Sequence, residues 1–357
     1  MASQTPVHTT LDLFDWRKLG EFDALETLIR ARDPAGIRSL VVLGKTEGTA
    51  TLNDFSREVA TTAASAAIEA AGGRTLLARA TLLFSTGCEG LASPFGMLLT
   101  ASDDGSRSEG GLAVGVARTA PLAPTLRGGA EHARHVASGV DAAIAESGLS
   151  PADVALVLVK SPVAPAGLPG VDPARAGSTG AARAAGALGA ALALGDITAA
   201  ELDAAGSLAR AGLHGTRCMA FSGTELDHDE IMVLGNRPGP GGLRIATSAL
   251  ADALDVGAMR RLAAGLGARW DADGVPVAGT MPKAMFLKLG APPGGRLRGT
   301  RTTVLSSDLT PDKHLRAAAS GIAGALFGTT RVFVSGGAEG QAPPGGGLFA
   351  AIAETPA

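Results

Sequence analysis

The chain has 357 residues, of which 46% are hydrophobic and 18% are charged, and its formal net charge is −3 at pH 7. A chain of this length can bury a large core and can form one large domain or two to three smaller ones. Nucleic acid is disfavoured as a partner, because aromatic residues make up only 3% of the chain and no run of lysine or arginine is longer than a pair.

The N-terminal segment and the apolar runs predict a cytoplasmic protein that does not bind a membrane. Asp12 and Asp15 stand where a signal peptide requires an apolar stretch. The longest apolar run, 184–195, is too short to span a bilayer.

Cysteine, histidine and glycine patterns exclude several common sites. Cys88 and Cys218 lack a C-x-x-C spacing and are expected to be small buried apolar residues. His132 and His135 have no adjoining acidic or cysteine partner, so no zinc site is predicted. The "GKT" at 44–46 is not a phosphate-binding loop, because a serine stands where the first glycine is needed.

A strand ending in lysine, a helix bearing an arginine near its start, and a strand ending in serine follow one another three times along the chain. The members are Lys45, Arg57 and Ser85 in the first occurrence, Lys160, Arg183 and Ser222 in the second, and Lys288, Arg316 and Ser335 in the third. Helix start signals precede the first and third helices, with Asp54 or Ser56 as a candidate N-cap and Thr310 before Pro311.

Each serine is followed by Gly or Thr and then, within a few residues, by a glutamate, and these glutamates are Glu89, Glu225 and Glu339. Together with Glu47 they are secondary candidates for the site, and Glu47 is expected either to lie in or beside the site or to pair with a lysine or cap a loop.

These recurrences predict an α/β protein of three similar βα repeat units around a pseudo-threefold axis, with the strands forming a central barrel and the helices outside. The predicted units are 1–105, 106–252 and 253–357. The three sets of lysine, arginine and serine would then converge on one central cavity.

Serine and lysine together can perform nucleophilic catalysis. A serine hydroxyl needs a base within hydrogen-bond reach, and a lysine can serve when burial and a nearby positive charge lower its pKa. Backbone N–H groups beside each serine could stabilise an oxyanion, and each arginine offers a charged fork to ligand oxygens. The residues therefore predict hydrolysis of an amide in a small, oxygen-rich ligand.

The residues also resemble the cyanuric acid hydrolase and barbiturase family of ring-opening amidohydrolases. The matching stretches are "GKTEGTATLNDFSR" (44–57), "STGCEGLASP" (85–94), "ARAAGALGAALALGDI" (182–197), "GRLRGTRTTVLSSDL" (295–309) and "VSGGAEGQAPPGGG" (334–347). The resemblance implies three similar units around one site, a homotetramer, and no required cofactor.

The resemblance also implies roles for individual residues. It favours Ser222 as the nucleophile and Lys160 as its base, with the Lys45–Ser85 and Lys288–Ser335 pairs holding and polarising the ring. The implied substrate contacts are Arg57, Ser85, Thr86, Arg183, Ser222, Gly223, Arg316, Ser335 and Gly336. The implied reaction opens cyanuric acid to a carboxylated biuret, which loses carbon dioxide.

Departures from the family pattern leave alternatives open. Gly290 replaces a glutamate that helps to hold a structural metal in some members, so a divalent ion is not expected. The remaining ligands of such an ion would be Ala338, Gln341, Ala342, Pro343 and Gly346. Barbituric acid is the alternative substrate, and a heterocycle-binding protein without turnover or a purely structural oligomer are the alternatives to an enzyme.

Overall fold

A computed structural model of the chain describes residues 8–51, 53–102, 110–239, 241–302 and 310–355. Within these residues the longer strands form three four-stranded sheets. Three predicted features lie partly outside the described residues: the unit boundary near 105, residue 52 of the first family stretch and residues 303–309 of the fourth.

The first sheet is formed by the N-terminal third of the chain. Its strands are β1 (His8–Phe14), β2 (Ile37–Thr46), β3 (Ala80–Thr86) and β4 (Phe95–Ser102), and its helices are α1 (Asp23–Arg30) and α2 (Ser56–Leu77). The strand order is β1-β4-β2-β3, in which β2 and β3 are parallel and the other pairs antiparallel. Because parallel neighbours need a crossover connection, α2 links β2 to β3.

The second sheet repeats this arrangement. Its strands are β5 (Gly111–Arg118), β6 (Val154–Pro162), β7 (Cys218–Gly223) and β8 (Glu230–Arg237), and its helices are α3 (Ala130–Ser147), α4 (Thr179–Ala193) and α5 (Ala199–Ala204). The order is β5-β8-β6-β7, with β6 parallel to β7.

The third sheet contains β9 (Gly242–Leu250), β10 (Ala284–Leu289), β13 (Phe333–Gly336) and β14 (Gly347–Thr355), and a short hairpin, β11 (Arg296–Leu297) and β12 (Thr300–Arg301), lies between β10 and β13. Its helices are α6 (Val256–Gly265) and α7 (Pro311–Phe327). The order is β9-β14-β10-β13, again with one parallel pair, β10 and β13.

Alternation of side chains along the strands separates an inner from an outer apolar face. The inner faces of all three sheets pack together in one buried core, to which Leu43, Leu158 and Phe286 contribute. The outer faces pack against helices, as Ile68 of α2 and Leu315 of α7 show. The three lysines follow these inner residues by two positions, so each lies at the end of an inner-facing row.

The α/β class and the outer position of the helices are confirmed, but the expected barrel is not found. The described strands form separate sheets rather than one hydrogen-bonded barrel, because no ladder joins the edge of one sheet to the next. Strand β9, which precedes the predicted unit boundary at 252, pairs with β14 in the third sheet. Among the described helices, none is long and apolar enough to cross a membrane.

Candidate active site

The three strand-end lysines are buried side chains. Lys45 and Lys288 are fully buried, and Lys160 is 2% exposed. A buried ammonium group loses hydration, so each of these lysines must be compensated by partners or lose its proton more readily.

Two of the lysines pair with a serine on the neighbouring parallel strand. Lys45 lies opposite Ser85 in the β2–β3 ladder, and its Nζ is 3.4 Å from the Ser85 Oγ. Lys288 lies opposite Ser335 in the β10–β13 ladder, and its Nζ is 2.8 Å from the Ser335 Oγ. The Lys288–Ser335 pair therefore has hydrogen-bond geometry suited to proton transfer.

The second unit departs from the expected pattern. Lys160 lies opposite Phe221, while Ser222 lies opposite Ser161. The Lys160 Nζ contacts the Glu225 carboxylate, and no hydrogen bond joins it to Ser222 among the described contacts. Ser222 is therefore not the structural counterpart of Ser85 and Ser335, although the sequence pattern predicted that it was.

The three loops have glutamate at the same position, and this common position shows why Ser222 differs from Ser85 and Ser335. The segments are Ser85-Thr86-Gly87-Cys88-Glu89, Phe221-Ser222-Gly223-Thr224-Glu225 and Ser335-Gly336-Gly337-Ala338-Glu339. Glycine is third and glutamate fifth in all of them, and phenylalanine replaces serine at the first position of the second loop. The shorter serine-to-glutamate spacing in the second loop was the sequence signal for this replacement.

One cavity of about 160 Å³ lies where the three loops meet. The nine predicted substrate contacts all line it: Arg57, Ser85, Thr86, Arg183, Ser222, Gly223, Arg316, Ser335 and Gly336. Lys288 also reaches the cavity, together with Phe221 and Asp312, neither of which was predicted. An apolar cavity of about 150 Å³ can hold a benzene molecule, so this cavity has the size for one six-membered ring.

Each cavity arginine pairs with the loop glutamate of another unit. Arg57 donates to Glu225 at 3.1 Å, Arg183 to Glu339 at 2.8 Å and Arg316 to Glu89 at 2.6 Å. These pairs run from the first unit to the second, from the second to the third and from the third to the first. The glutamates therefore fix the arginines at the junctions between units.

Two of the loop glycines are required by the close approach of an arginine. Gly87 and Gly337 have φ values of 100° and 78°. A Cβ atom on Gly87 would lie 2.9 Å from the Arg316 Nε, and one on Gly337 would lie 2.3 Å from the Arg183 Nη2. Bare backbone at these positions therefore lets the guanidinium groups lie against the serine loops.

Burial and charge shift the pKa values of the lysines downward. Burial, reinforced by the Arg316 guanidinium, lowers the pKa of Lys45 to about 7. Burial and the Arg183 charge hold the pKa of Lys288 well below its usual value. Burial also lowers the pKa of Lys160, and the Glu225 carboxylate opposes that shift. A lysine that is neutral near neutral pH can accept a proton from serine.

We expect Lys45 to make folding stability depend on pH. Its pKa is about 7 in the folded chain and 10.5 ordinarily, so between these values the unfolded chain binds more protons. Wild-type stability should therefore rise with pH, relative to Lys45→Met, by up to about 1.4 kcal/mol per pH unit across this window. Urea unfolding of both proteins at several pH values measures this difference, and a difference that does not change with pH would contradict the expectation.

The residues of the implied metal site offer only neutral oxygens, and several of these already accept hydrogen bonds. The Gln341 Oε1 accepts a hydrogen bond from the Ala220 N–H at 2.7 Å. The carbonyl oxygens of Ala338, Pro343 and Gly346 accept backbone N–H groups. Gly290 adds no carboxylate, whereas hard cations favour carboxylate-containing oxygen sets. Among the described residues, no cluster of three or more His, Cys, Asp or Glu side chains could hold a metal.

Glu47 lies away from the cavity lining and accepts a hydrogen bond from the Trp16 indole at 3.4 Å. Asp312, which the sequence patterns did not single out, lies 3.5 Å from the Arg183 Nη2 and supplements its pair with Glu339.

Known proteins match this chain over nearly its whole length. The family described as "Amidohydrolase ring-opening protein" matches residues 14–354. A cyanuric acid amidohydrolase of Methylobacterium sp. (strain 4-46) is 38% identical over 333 residues, covering 90% of this chain and 89% of that protein. A cyclic amide hydrolase of Azorhizobium caulinodans is 35% identical over 352 residues, covering 93% and 96%.

A crystal structure of cyanuric acid hydrolase from A. caulinodans superposes with a TM-score of 0.86 and 33% identity, covering 98% of this chain and 99% of that one. A second cyanuric acid hydrolase structure has a TM-score of 0.88 and 30% identity, covering 98% of this chain and 100% of that one. Because both the sequence and the fold match over nearly the whole chain, the protein is a hydrolase and belongs to the ring-opening amidohydrolase family.

Proposed function

We propose that the protein opens a cyclic imide by hydrolysing one ring amide bond, with a serine as nucleophile and a lysine as base. The observation that carries this proposal is the buried Lys288 Nζ, 2.8 Å from the Ser335 Oγ beside a ring-sized cavity. The names of the relatives support cyanuric acid as the first substrate to test, with barbituric acid as the alternative.

The proposed reaction proceeds in two steps. Lys288 takes the Ser335 hydroxyl proton while the serine oxygen attacks a ring carbonyl, and the same proton then passes to the departing ring nitrogen as the C–N bond breaks. Water hydrolyses the resulting acyl-enzyme, freeing the serine and a carboxylic acid. From cyanuric acid the product is carboxybiuret, which loses carbon dioxide to give biuret, and from barbituric acid it is ureidomalonate.

The arginines and the loop backbone stabilise the charge that forms during attack. Arg183 retains its charge in the cavity wall because Glu339 raises its pKa, against the effect of burial. The Arg183 charge in turn lowers the pKa of Glu339 to about 2, although burial alone would raise it. A permanently ionised pair positions a guanidinium toward ligand oxygens without reorganisation during the reaction.

We propose Lys288–Ser335 as the attacking pair, in place of the Lys160–Ser222 pair that the resemblance favours. A base must be free to accept the serine proton, and the Lys160 Nζ instead contacts Glu225. Ser222 lines the cavity and is retained as a substrate contact. The Lys45–Ser85 pair has a longer separation of 3.4 Å, and Lys45 also donates to the Thr86 carbonyl at 2.9 Å, so we assign it a holding role.

We further propose that the three sheets are structural repeats around a pseudo-threefold axis and that the protein is a homotetramer needing no cofactor. The shared strand order and the cyclic set of arginine–glutamate pairs support the repeat. Apart from the ring itself, serine, lysine and water provide every atom and proton of the reaction, so no step requires a cofactor. Light scattering on the purified protein tests the tetramer.

Turnover tests the proposed function directly. Purified wild-type protein should consume cyanuric acid, barbituric acid or both, followed by loss of ring absorbance, and Ser335→Ala measured in parallel controls for contaminating activity. Tight binding of a ring by the wild type without its consumption would replace the hydrolase proposal with a binding protein. If the protein neither consumes nor binds either ring, the hydrolase proposal and the binding-protein alternative are both contradicted.

A further inference from the structure

The second unit places an aromatic ring where the other two units place a serine hydroxyl. Phe221 lies opposite Lys160 in the β6–β7 ladder, as Ser85 lies opposite Lys45 and Ser335 opposite Lys288. It is 4% exposed and borders the cavity. One of the three inner-facing positions around the cavity therefore presents carbon instead of a hydroxyl.

Packing on the neighbouring unit holds this ring in place. Its centroid lies 5.5 Å from that of Phe333 in an edge-to-face arrangement, and the Lys288 Nζ lies 4.8 Å from it. An aromatic face also attracts a lysine ammonium, so the ring stabilises the protonated Lys288 that forms when Ser335 gives up its proton. Phe221 therefore belongs to the same corner of the cavity as the Lys288–Ser335 pair.

Lys160, which lies opposite Phe221, does not supply a polar group to the cavity in place of the absent serine hydroxyl. Lys160 is 2% exposed and contacts the Glu225 carboxylate, which Arg57 also contacts. The Lys160 ammonium is thereby occupied within a buried charge cluster, whereas Lys288 reaches the cavity. Ser222 also lines the cavity, but one residue further along the strand and without a lysine partner among the described contacts.

This asymmetry bears on which ring fits. A ring with three equivalent imide edges would place one polar edge against the Phe221 phenyl group. That edge would lose its hydrogen bonds to water and gain no conventional hydrogen bond in return, which lowers the affinity for the ring. A ring in which one N–H is replaced by carbon loses nothing at that position. The remaining polar edges would meet the two serine–lysine pairs and the arginines.

We propose that Phe221 is a specificity-determining residue, and that the preferred substrate is a six-membered cyclic imide with one carbon edge, as in the barbiturate ring, rather than a ring with three equivalent edges. This inference rests on the proposed ring-opening function and specifies its substrate class.

The test compares two rings and three proteins. The rings are cyanuric acid, with three N–H edges, and barbituric acid, with one carbon edge. The proteins are the wild type, Phe221→Ser, which restores the hydroxyl, and Phe221→Leu, a matched control that keeps the position apolar. Each kcat/KM is measured, and thermal melting establishes which variants fold.

The wild type should prefer barbituric acid by about tenfold or more, a range typical of a single group in a fitted pocket. Phe221→Ser should shift the preference toward cyanuric acid by about tenfold, and Phe221→Leu should keep it within about threefold of the wild type. A wild type that prefers cyanuric acid, or an unchanged preference in a folded Phe221→Ser, would overturn the inference while leaving the hydrolase proposal intact.

Two further results remain decisive. If Phe221→Ser does not fold, the wild-type preference and the Phe221→Leu control still decide, because loss of preference in the leucine variant contradicts an apolar wall. If the wild type consumes neither ring, the hydrolase proposal fails separately. Calorimetric binding then tests the inference, with tighter binding of barbituric acid supporting it and equal or weaker binding contradicting it.

Discussion

Replacing Ser335 with alanine is expected to lower kcat by at least about 10³-fold for whichever ring the protein opens, because the variant lacks the attacking oxygen. Lys288→Met should lose activity to a comparable degree. The double variant should be little worse than either single one, since nucleophile and base act as a unit. Single-turnover kinetics with mass spectrometry of the trapped acyl-enzyme measures both the rate and the site of attachment.

Two other serines provide the matched controls for this expectation. Ser85→Ala and Ser222→Ala should retain far more activity than Ser335→Ala, because each removes a proposed contact and leaves the attacking pair in place. An inactive Ser222→Ala beside an active Ser335→Ala would instead identify Ser222 as the nucleophile, as the family resemblance predicts. An acyl group on Ser222 would lead to the same conclusion.

Replacing Glu225 with alanine is expected to destabilise the folded protein by about 3–5 kcal/mol, because it leaves buried cations without their counter-ion. The side chains of Arg57 and Glu225 are each 7% exposed, and that of Lys160 is 2% exposed. These three groups join the first unit to the second. Removing the Glu225 carboxylate should therefore weaken the contact between these two units.

Urea unfolding measures the expected loss, with an exposed ion pair as the control. Glu69 pairs with Arg74 on the surface, where the side chains are 45% and 92% exposed. Glu69→Ala should cost less than about 1 kcal/mol. Equal effects of the two substitutions would show that the Glu225 cluster contributes no more than a surface pair.

Much of the site was predictable because its residues occur at strand ends and helix starts. Apolar runs ending in Lys45 and Lys288 identified the strands, and Arg57 and Arg316 lay in the predicted helices. Tertiary structure brings the predicted contacts together around one cavity. Local patterns sufficed here because parallel strands joined by a helix bring their C-terminal ends to the same edge of a sheet.

The second unit shows where local patterns failed. The local pattern predicts Ser222 as the counterpart of Ser85 and Ser335, yet the β6–β7 register places Phe221 opposite Lys160. A shift of one residue moves a side chain to the opposite face of a strand, and register depends on the partner strand. The sheet that β9 joins likewise depends on a distant partner, since β9 pairs with β14.

The sequence by itself determined the α/β class, the recurring order of lysine, arginine and serine, and the family. Each of these features can be recognised from short segments whose residues are close together along the chain. Only the tertiary structure decided which lysine meets which serine and which glutamate holds each arginine. Those partners lie on separate strands or in separate units, as Arg316 and Glu89 do. Their proximity depends on ladder register and on how three sheets pack around a shared core, and neither is encoded by spacing along a single segment.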